Sequence, residues 1–200
     1  MLLIIPAVLL ISLMLAFSLP VLYESARLAA AESSETPQIA RVRPFLAATL
    51  LLGGVIPAWL LTREPAFCGF VLLLACAAYI DWITQWVPDP LIFMLSWAAL
   101  GALLPGEADA LIIFAGAAAM LLPAVLLNVI TWLRAQPPAL ASGDLYVLPA
   151  LGAWLTPEWA GLSFLASLFF TAIVGRFIRG VPFITVLYPV FMMVTLCRNW

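Results

Sequence analysis

From Ala110 to Leu133 the chain carries no charged side chain, and comparable uncharged runs recur along most of its length. A helix rises about 1.5 Å per residue, so such a run is long enough to cross the roughly 30 Å hydrocarbon core of a bilayer. Over the whole chain 66% of residues are hydrophobic and only 9% charged, with a mean hydropathy of +1.18. Soluble domains hold about 25% charged residues, so a water-soluble globule is excluded. The expected fold is an all-α, polytopic membrane helical bundle. Breaks at charge, proline and glycine predict about eight transmembrane helices, near residues 2–20, 45–62, 66–81, 90–105, 110–133, 144–156, 159–177 and 182–197. The sixth is short for a full crossing. The first, "LLIIPAVLLISLMLAFSLP", lacks a basic start, and its apolar run exceeds the roughly 7–15 residues of a secretory signal. It reads as an uncleaved helix over 1–20, followed by a short hydrophilic loop over 21–44 and a membrane-embedded core over 45–200.

Missing residue types narrow the chemistry. There is no histidine, and all eight basic residues are arginine. Serine–histidine, cysteine–histidine and serine–lysine catalysis are therefore excluded, as are HExxH zinc sites. Cys68, Cys76 and Cys197 have no CxxC spacing and read as small buried hydrophobes, so no metal, disulfide or cofactor is expected. A net charge of −2 without a basic run gives no sign of a nucleic-acid partner.

The arginines predict an orientation. With eight spans, Arg27, Arg41, Arg43, Arg134, Arg176 and Arg179 fall on one side, and Arg63 and Arg198 on the other. Cytoplasmic loops carry the excess of positive charge, which puts the first group inside and both termini outside. Asp81, at the end of the third span, and Asp144, at the start of the sixth, then lie on the same cytoplasmic side. Among the ten acids these two are the most closely bordered by apolar helix. A carboxylate at a helix centre costs roughly 2.5–3.5 kcal/mol on insertion scales, so each needs a reason.

Structural reasons exist for both. Asp144 could cap its helix or serve as a first-turn acid, a role worth about 1 kcal/mol. Asp81 could reach headgroup water beside an interfacial belt of Trp82 and Trp86. Asp89 precedes Pro90 and reads as the cap of the fourth span. Glu24, Glu32, Glu35, Glu64, Glu107, Asp109 and Glu158 read as solvated loop residues. The functional alternative for Asp81 and Asp144 is a facing pair. Two carboxylates in one desolvated site tend to share a proton. The ionised member can take a proton from water as that water attacks a carbonyl; the protonated member can donate to the developing oxyanion and then assist the leaving amine.

At these residues the sequence resembles the type IV prepilin peptidases, a family of bacterial GxGD-type membrane aspartyl proteases. In "DWITQWVPDPL", Asp81 is followed by Pro88 and Asp89 at the spacing of the family's first aspartate motif. "ASGDLYVLPALGAWL" resembles the second, with Gly143 and Asp144 matching its glycine and catalytic aspartate. "GVPFITVLYPVF", residues 180–191, resembles the closing Pro-Phe segment more loosely. The likeness covers roughly 45–195. It implies catalytic roles for Asp81 and Asp144, supported by Gly143, Ala141, Pro88 and Asp89, and makes 45–200 a peptidase core. It further implies a multi-pass protein of the bacterial inner membrane, in contact with lipid, that removes short basic leaders from prepilins or pilin-like secretion proteins on the cytoplasmic side. Three departures stand out. Ala141 replaces the first glycine of GxGD, and Tyr146 replaces a position that is commonly lysine. The cysteine-rich cytoplasmic region linked to methylation is absent, and the loop over 21–44 stands in its place. The rival reading is a non-enzymatic membrane protein: a degenerate homologue acting in pilus or secretion assembly, or a proton-coupled carrier.

Overall fold

The computed structural model describes residues 44–104, 109–177 and 180–198, together with Glu24 and Leu28. The first expected span, most of the loop over 21–44, and Arg27, Arg41, Arg43 and Arg179 lie outside the described residues. Within them the chain forms seven helices and no strand: α1 (Pro44–Thr62), α2 (Pro65–Thr84), α3 (Asp89–Leu103), α4 (Ala110–Leu133), α5 (Ser142–Gly152), α6 (Pro157–Val174) and α7 (Phe183–Arg198). Three of them, α2, α4 and α6, are long and apolar enough to cross a membrane; all of α3 and parts of α1 and α7 are shorter apolar helices.

Proline and acid placement set the boundaries. Pro65, Pro90 and Pro157 stand in the first turns of α2, α3 and α6, where a missing N–H costs nothing. The Asp109 side chain accepts from the Leu111 N–H at 2.9 Å and caps α4. α2 stops at Gln85, which takes the left-handed conformation (φ 55°) and returns its N–H to the Asp81 carbonyl at 2.8 Å.

α2 is apolar on all sides because it is the central helix. Its spanning window is 78% buried, against 22% for α4 and for α6, which turn most of their surface outward. α2 packs on α1, α3 and α7; α4 packs on α5 and α6; α6 packs on α7, and α5 bridges the two groups through α3. The Tyr188 hydroxyl on α7 donates to the Leu50 carbonyl of α1 at 3.0 Å, passing over Gly54, where a Cβ would lie 1.8 Å from the phenolic oxygen.

Two features depart from the expected layout. The sixth span is an 11-residue helix, about 16 Å long, and so does not cross by itself. It is anchored instead by close contact. A Cβ on Gly116 of α4 would come within 2.4 Å of the Gly152 carbonyl oxygen, and one on Gly152 would meet the Gly116 oxygen at 2.4 Å. Just beyond, the Trp154 ring packs on Phe67 and Phe70 of α2, with centroids 5.1 and 5.3 Å apart. The "LGAWL" stretch thus has a packing reason for both its glycine and its tryptophan. The second departure is Cys197, which is exposed, whereas Cys68 and Cys76 are buried as expected.

Candidate active site

Asp81 lies in the last turn of α2, one turn before the left-handed Gln85. It does not reach out to headgroup water. The residue is 3% exposed, while neighbouring Trp82 is 47% exposed and takes the outward direction. The C-terminal end of a helix repels negative charge, yet here α7 begins beside it. The Thr185 backbone N–H, in the first turn of α7, donates to Asp81 Oδ2 at 3.2 Å. That N–H has no partner within its own helix, so the carboxylate completes the α7 N-terminus. The Thr185 hydroxyl donates to the Ala78 carbonyl at 2.8 Å and stands 3.4 Å from the same Oδ2.

Asp144 is held differently. α5 starts after Ala141, which makes Asp144 its third residue, a first-turn acid that is 8% exposed. Its carboxylate turns back to the Ala141 backbone N–H, the arrangement by which an acid at this position closes a helix start. The segment before it is fastened to α4. The Asn128 side-chain amide donates to the Leu140 carbonyl and accepts from the Leu140 N–H, both at 2.9 Å. One uncharged side chain thereby pairs with both polar groups of one loop residue, as a neighbouring strand would.

The two aspartates, distant in sequence, line one cavity of about 250 Å³ and are near enough to interact electrostatically. Asp89, Ala141, Gly143 and Tyr146 line it too. Pro88 sits just outside as the N-cap of α3, which makes Asp89 the first residue of that helix rather than its cap. The correction is of one position and leaves Asp89 favourably placed against the helix dipole. On the far side Gln85 donates to the Gly180 carbonyl, and Gly180 takes a left-handed φ of 70° with no room for a Cβ beside the Gln85 amide.

The glycine motif also reads differently in three dimensions. Ala141 has φ −65° and ψ 154°, an extended conformation that any residue adopts, so alanine in place of glycine strains nothing. A Cβ on Gly143 would meet only Val87 at 3.8 Å, so the bare backbone there leaves space in the cavity rather than avoiding a clash. A second, apolar groove of about 520 Å³ between α3, α4 and α5 shares Ser142 and Tyr146 with this cavity, and its wall includes Ala99, Ala117, Ala150 and Ala153.

Sequence reasoning did not single out Thr185, Asn128 or Gln85. Asn128 had a visible signal, an amide in the middle of an otherwise apolar run. Thr185 had a weaker one, a hydroxyl residue soon after Pro182 at a helix start.

Comparison with curated proteins gave no match. Comparison with solved structures gave none either. The sequence pattern of the type IV leader peptidase family matches residues 68–176, more than half of the chain and a stretch that holds Asp81 and Asp144. With that match, the chain belongs to the type IV leader peptidase family.

Proposed function

We propose that the protein is a membrane aspartyl endopeptidase that removes the short basic leader from type IV prepilins or pilin-like secretion proteins. The observation that carries this reading is the meeting of Asp81 and Asp144 in one cavity, Asp81 beside the N-terminus of α7 and Asp144 in the first turn of α5. With one carboxylate ionised and the other protonated, the first removes a proton from water as its oxygen attacks the peptide carbonyl carbon. The second donates its proton to the carbonyl oxygen, giving a tetrahedral diol. Proton transfer to the amide nitrogen then breaks the C–N bond and frees the new amine. The apolar groove that joins the cavity at Ser142 and Tyr146 supports lateral access for the substrate's hydrophobic helix, with the scissile bond delivered to the carboxylates.

In this reading the protein is a multi-pass protein of the bacterial inner membrane with about eight spans, and its cavity opens at the cytoplasmic boundary. Its product keeps an unmethylated N-terminus, because residues 21–44 have too little apolar content to form a methyl-donor pocket of their own. The test is direct. Purified protein in bilayer discs is mixed with a prepilin carrying a basic leader, and the product is weighed intact. Loss of the leader mass without an added methyl group is expected. An uncleaved substrate under conditions where another prepilin peptidase cleaves it would refute the peptidase reading, and an added methyl group would refute the methylation part.

A further inference from the structure

We infer that Thr185 is a positioning residue for Asp81, serving that carboxyl group in both of its protonation states. The inference rests on the aspartyl peptidase reading above, and its starting point is the hydrogen-bond inventory of one side chain. The Thr185 backbone N–H donates to Asp81 Oδ2 at 3.2 Å. The hydroxyl has a single proton, and two acceptors lie within reach: the Ala78 carbonyl at 2.8 Å and Asp81 Oδ2 at 3.4 Å. The Ala78 contact is the shorter, but an ionised carboxylate is the stronger acceptor. The hydroxyl can therefore donate to Oδ2 when Asp81 is ionised, and turn its proton to Ala78 and a lone pair to Oδ2 when Asp81 is protonated.

That geometry divides the work. When Asp81 is ionised, the Thr185 N–H supports Oδ2. When Asp81 is protonated on Oδ2, its O–H finds an acceptor in the Thr185 hydroxyl, whose own proton then goes to the Ala78 carbonyl. Both Thr185 contacts fall on Oδ2, and the Ile184 backbone N–H supports the same carboxyl group, so the start of α7 holds it on one side. A carboxylate is symmetric by itself; Thr185 makes its two oxygens unequal. In a reaction that alternates the protonation of this group, a partner able to donate and accept by turning one proton holds the carboxyl group still throughout.

The experiment uses the full chain in bilayer discs with a prepilin bearing a basic leader. Thr185→Val keeps the N–H and loses the hydroxyl, Thr185→Pro loses both the N–H and the hydroxyl, and Thr185→Ser keeps both. Thr185→Val and Thr185→Pro are expected to lower kcat by about tenfold or more with KM little changed, while Thr185→Ser stays near the parent. Wild-type kcat in both defective variants, a change confined to KM, or a serine variant as slow as valine would overturn the inference. A second readout does not need turnover. The carboxylic C=O stretch that vanishes in Asp81→Asn is expected to shift in Thr185→Val and to return in Thr185→Ser. An unshifted band would overturn the inference even if the wild-type protein cleaves, whereas a shifted band with no wild-type cleavage would instead refute the peptidase reading.

Discussion

The backbone N–H of Thr185 reaches the Asp81 carboxylate at 3.2 Å, joining the start of α7 to the end of α2. At the C-terminus of its own helix, Asp81 meets a negative dipole end, and in an apolar bundle it has little water to offset this. The α7 N-terminus supplies the missing positive field and an unpaired N–H together. Asp144 needs no such help, being in the first turn of α5. Two carboxylates thus face one cavity with a helix N-terminus behind each. A lone buried acid in this bundle would have neither the second carboxylate nor the support.

The pair makes the first prediction. Asn matches Asp in shape and can still accept from an N–H, but it neither takes up nor gives a proton in this chemistry. Asp81→Asn and Asp144→Asn are each expected to lower prepilin cleavage by at least about a hundredfold, with membrane insertion and thermal midpoint preserved. Asp89→Asn loses only a favourable first-turn charge, worth about 0.3–1 kcal/mol, and is expected to keep cleaving. Substantial turnover by either of the first two variants would remove the aspartyl mechanism.

Gly143 separates folding from access. Its added Cβ would find Val87 at 3.8 Å, ordinary contact, so Gly143→Ala is expected to fold as well as the parent, and up to about 1 kcal/mol better from helix propensity. Yet the methyl group would stand in the cavity that Gly143 lines. Slower cleavage at unchanged or raised thermal midpoint is expected. A variant that is both stable and fully active would mean that no substrate backbone passes close to this glycine.

Much of this is legible in the chain itself. Long uncharged runs gave the helices because hydrogen bonding within a helix is the simplest way to satisfy a backbone in hydrocarbon. Asp81 and Asp144 stood out because so few acids border apolar helices here. What the chain did not reveal depends on three-dimensional meeting. Residues 144–156 read as one span because Ala153–Leu155 is apolar, yet those residues form a turn packed against α2 and α4 beside the Gly116–Gly152 contact. Thr185 escaped notice because its role depends on where its N–H and hydroxyl meet Asp81 across two helices, which a sequence does not show. Ala141 looked like a defect in the motif only while the required φ was unknown; at −65° it is none.

Orientation gives the third prediction, and it rests on the arginine count. A reporter active only in the cytoplasm, fused within the 134–143 loop, is expected to be active, and one fused at Trp200 silent. That loop carries Ala139 and Leu140, which line the cavity, so the reporter also locates the aspartates. The reverse pattern would place the cavity on the outer face, where a basic leader retained in the cytoplasm does not reach.

The glycine contact between α4 and α5 gives the fourth. An alanine methyl at Gly116 would sit 2.2 Å from the Leu155 carbonyl oxygen and 2.4 Å from that of Gly152, both backbone atoms that cannot rotate away. Gly116→Ala is expected to destabilise by about 1–3 kcal/mol as the helices part, read as a lower thermal midpoint in detergent. Gly53→Ala, where a Cβ meets nothing within 4 Å, serves as the control and is expected to be neutral or slightly stabilising. Equal midpoints for the two variants would contradict the close approach.

The last prediction concerns Asn128, whose amide pairs with both polar groups of Leu140 at 2.9 Å. Leu140 is 5% exposed and lies four residues before Asp144, so its backbone groups have no easy recourse to water. Removing the amide leaves a carbonyl and an N–H unpaired, a cost of about 1–3 kcal/mol for each group that stays buried. The loop has an alternative, which is to move until water reaches them. It would then carry Ala139, Leu140 and Ala141, three residues of the cavity wall, away from their positions. Asn128→Leu is therefore expected to lose cleavage by more than its loss of stability explains. Asn128→Asp distinguishes the two halves of the clamp. It keeps an acceptor for the Leu140 N–H but turns a carboxylate oxygen toward the Leu140 carbonyl, so repulsion replaces one bond. If pairing with both groups positions the loop, Asp is expected to be as defective as Leu. If shape alone mattered, Asp would cleave like the parent, and the amide would be a packing residue with no hold on the site.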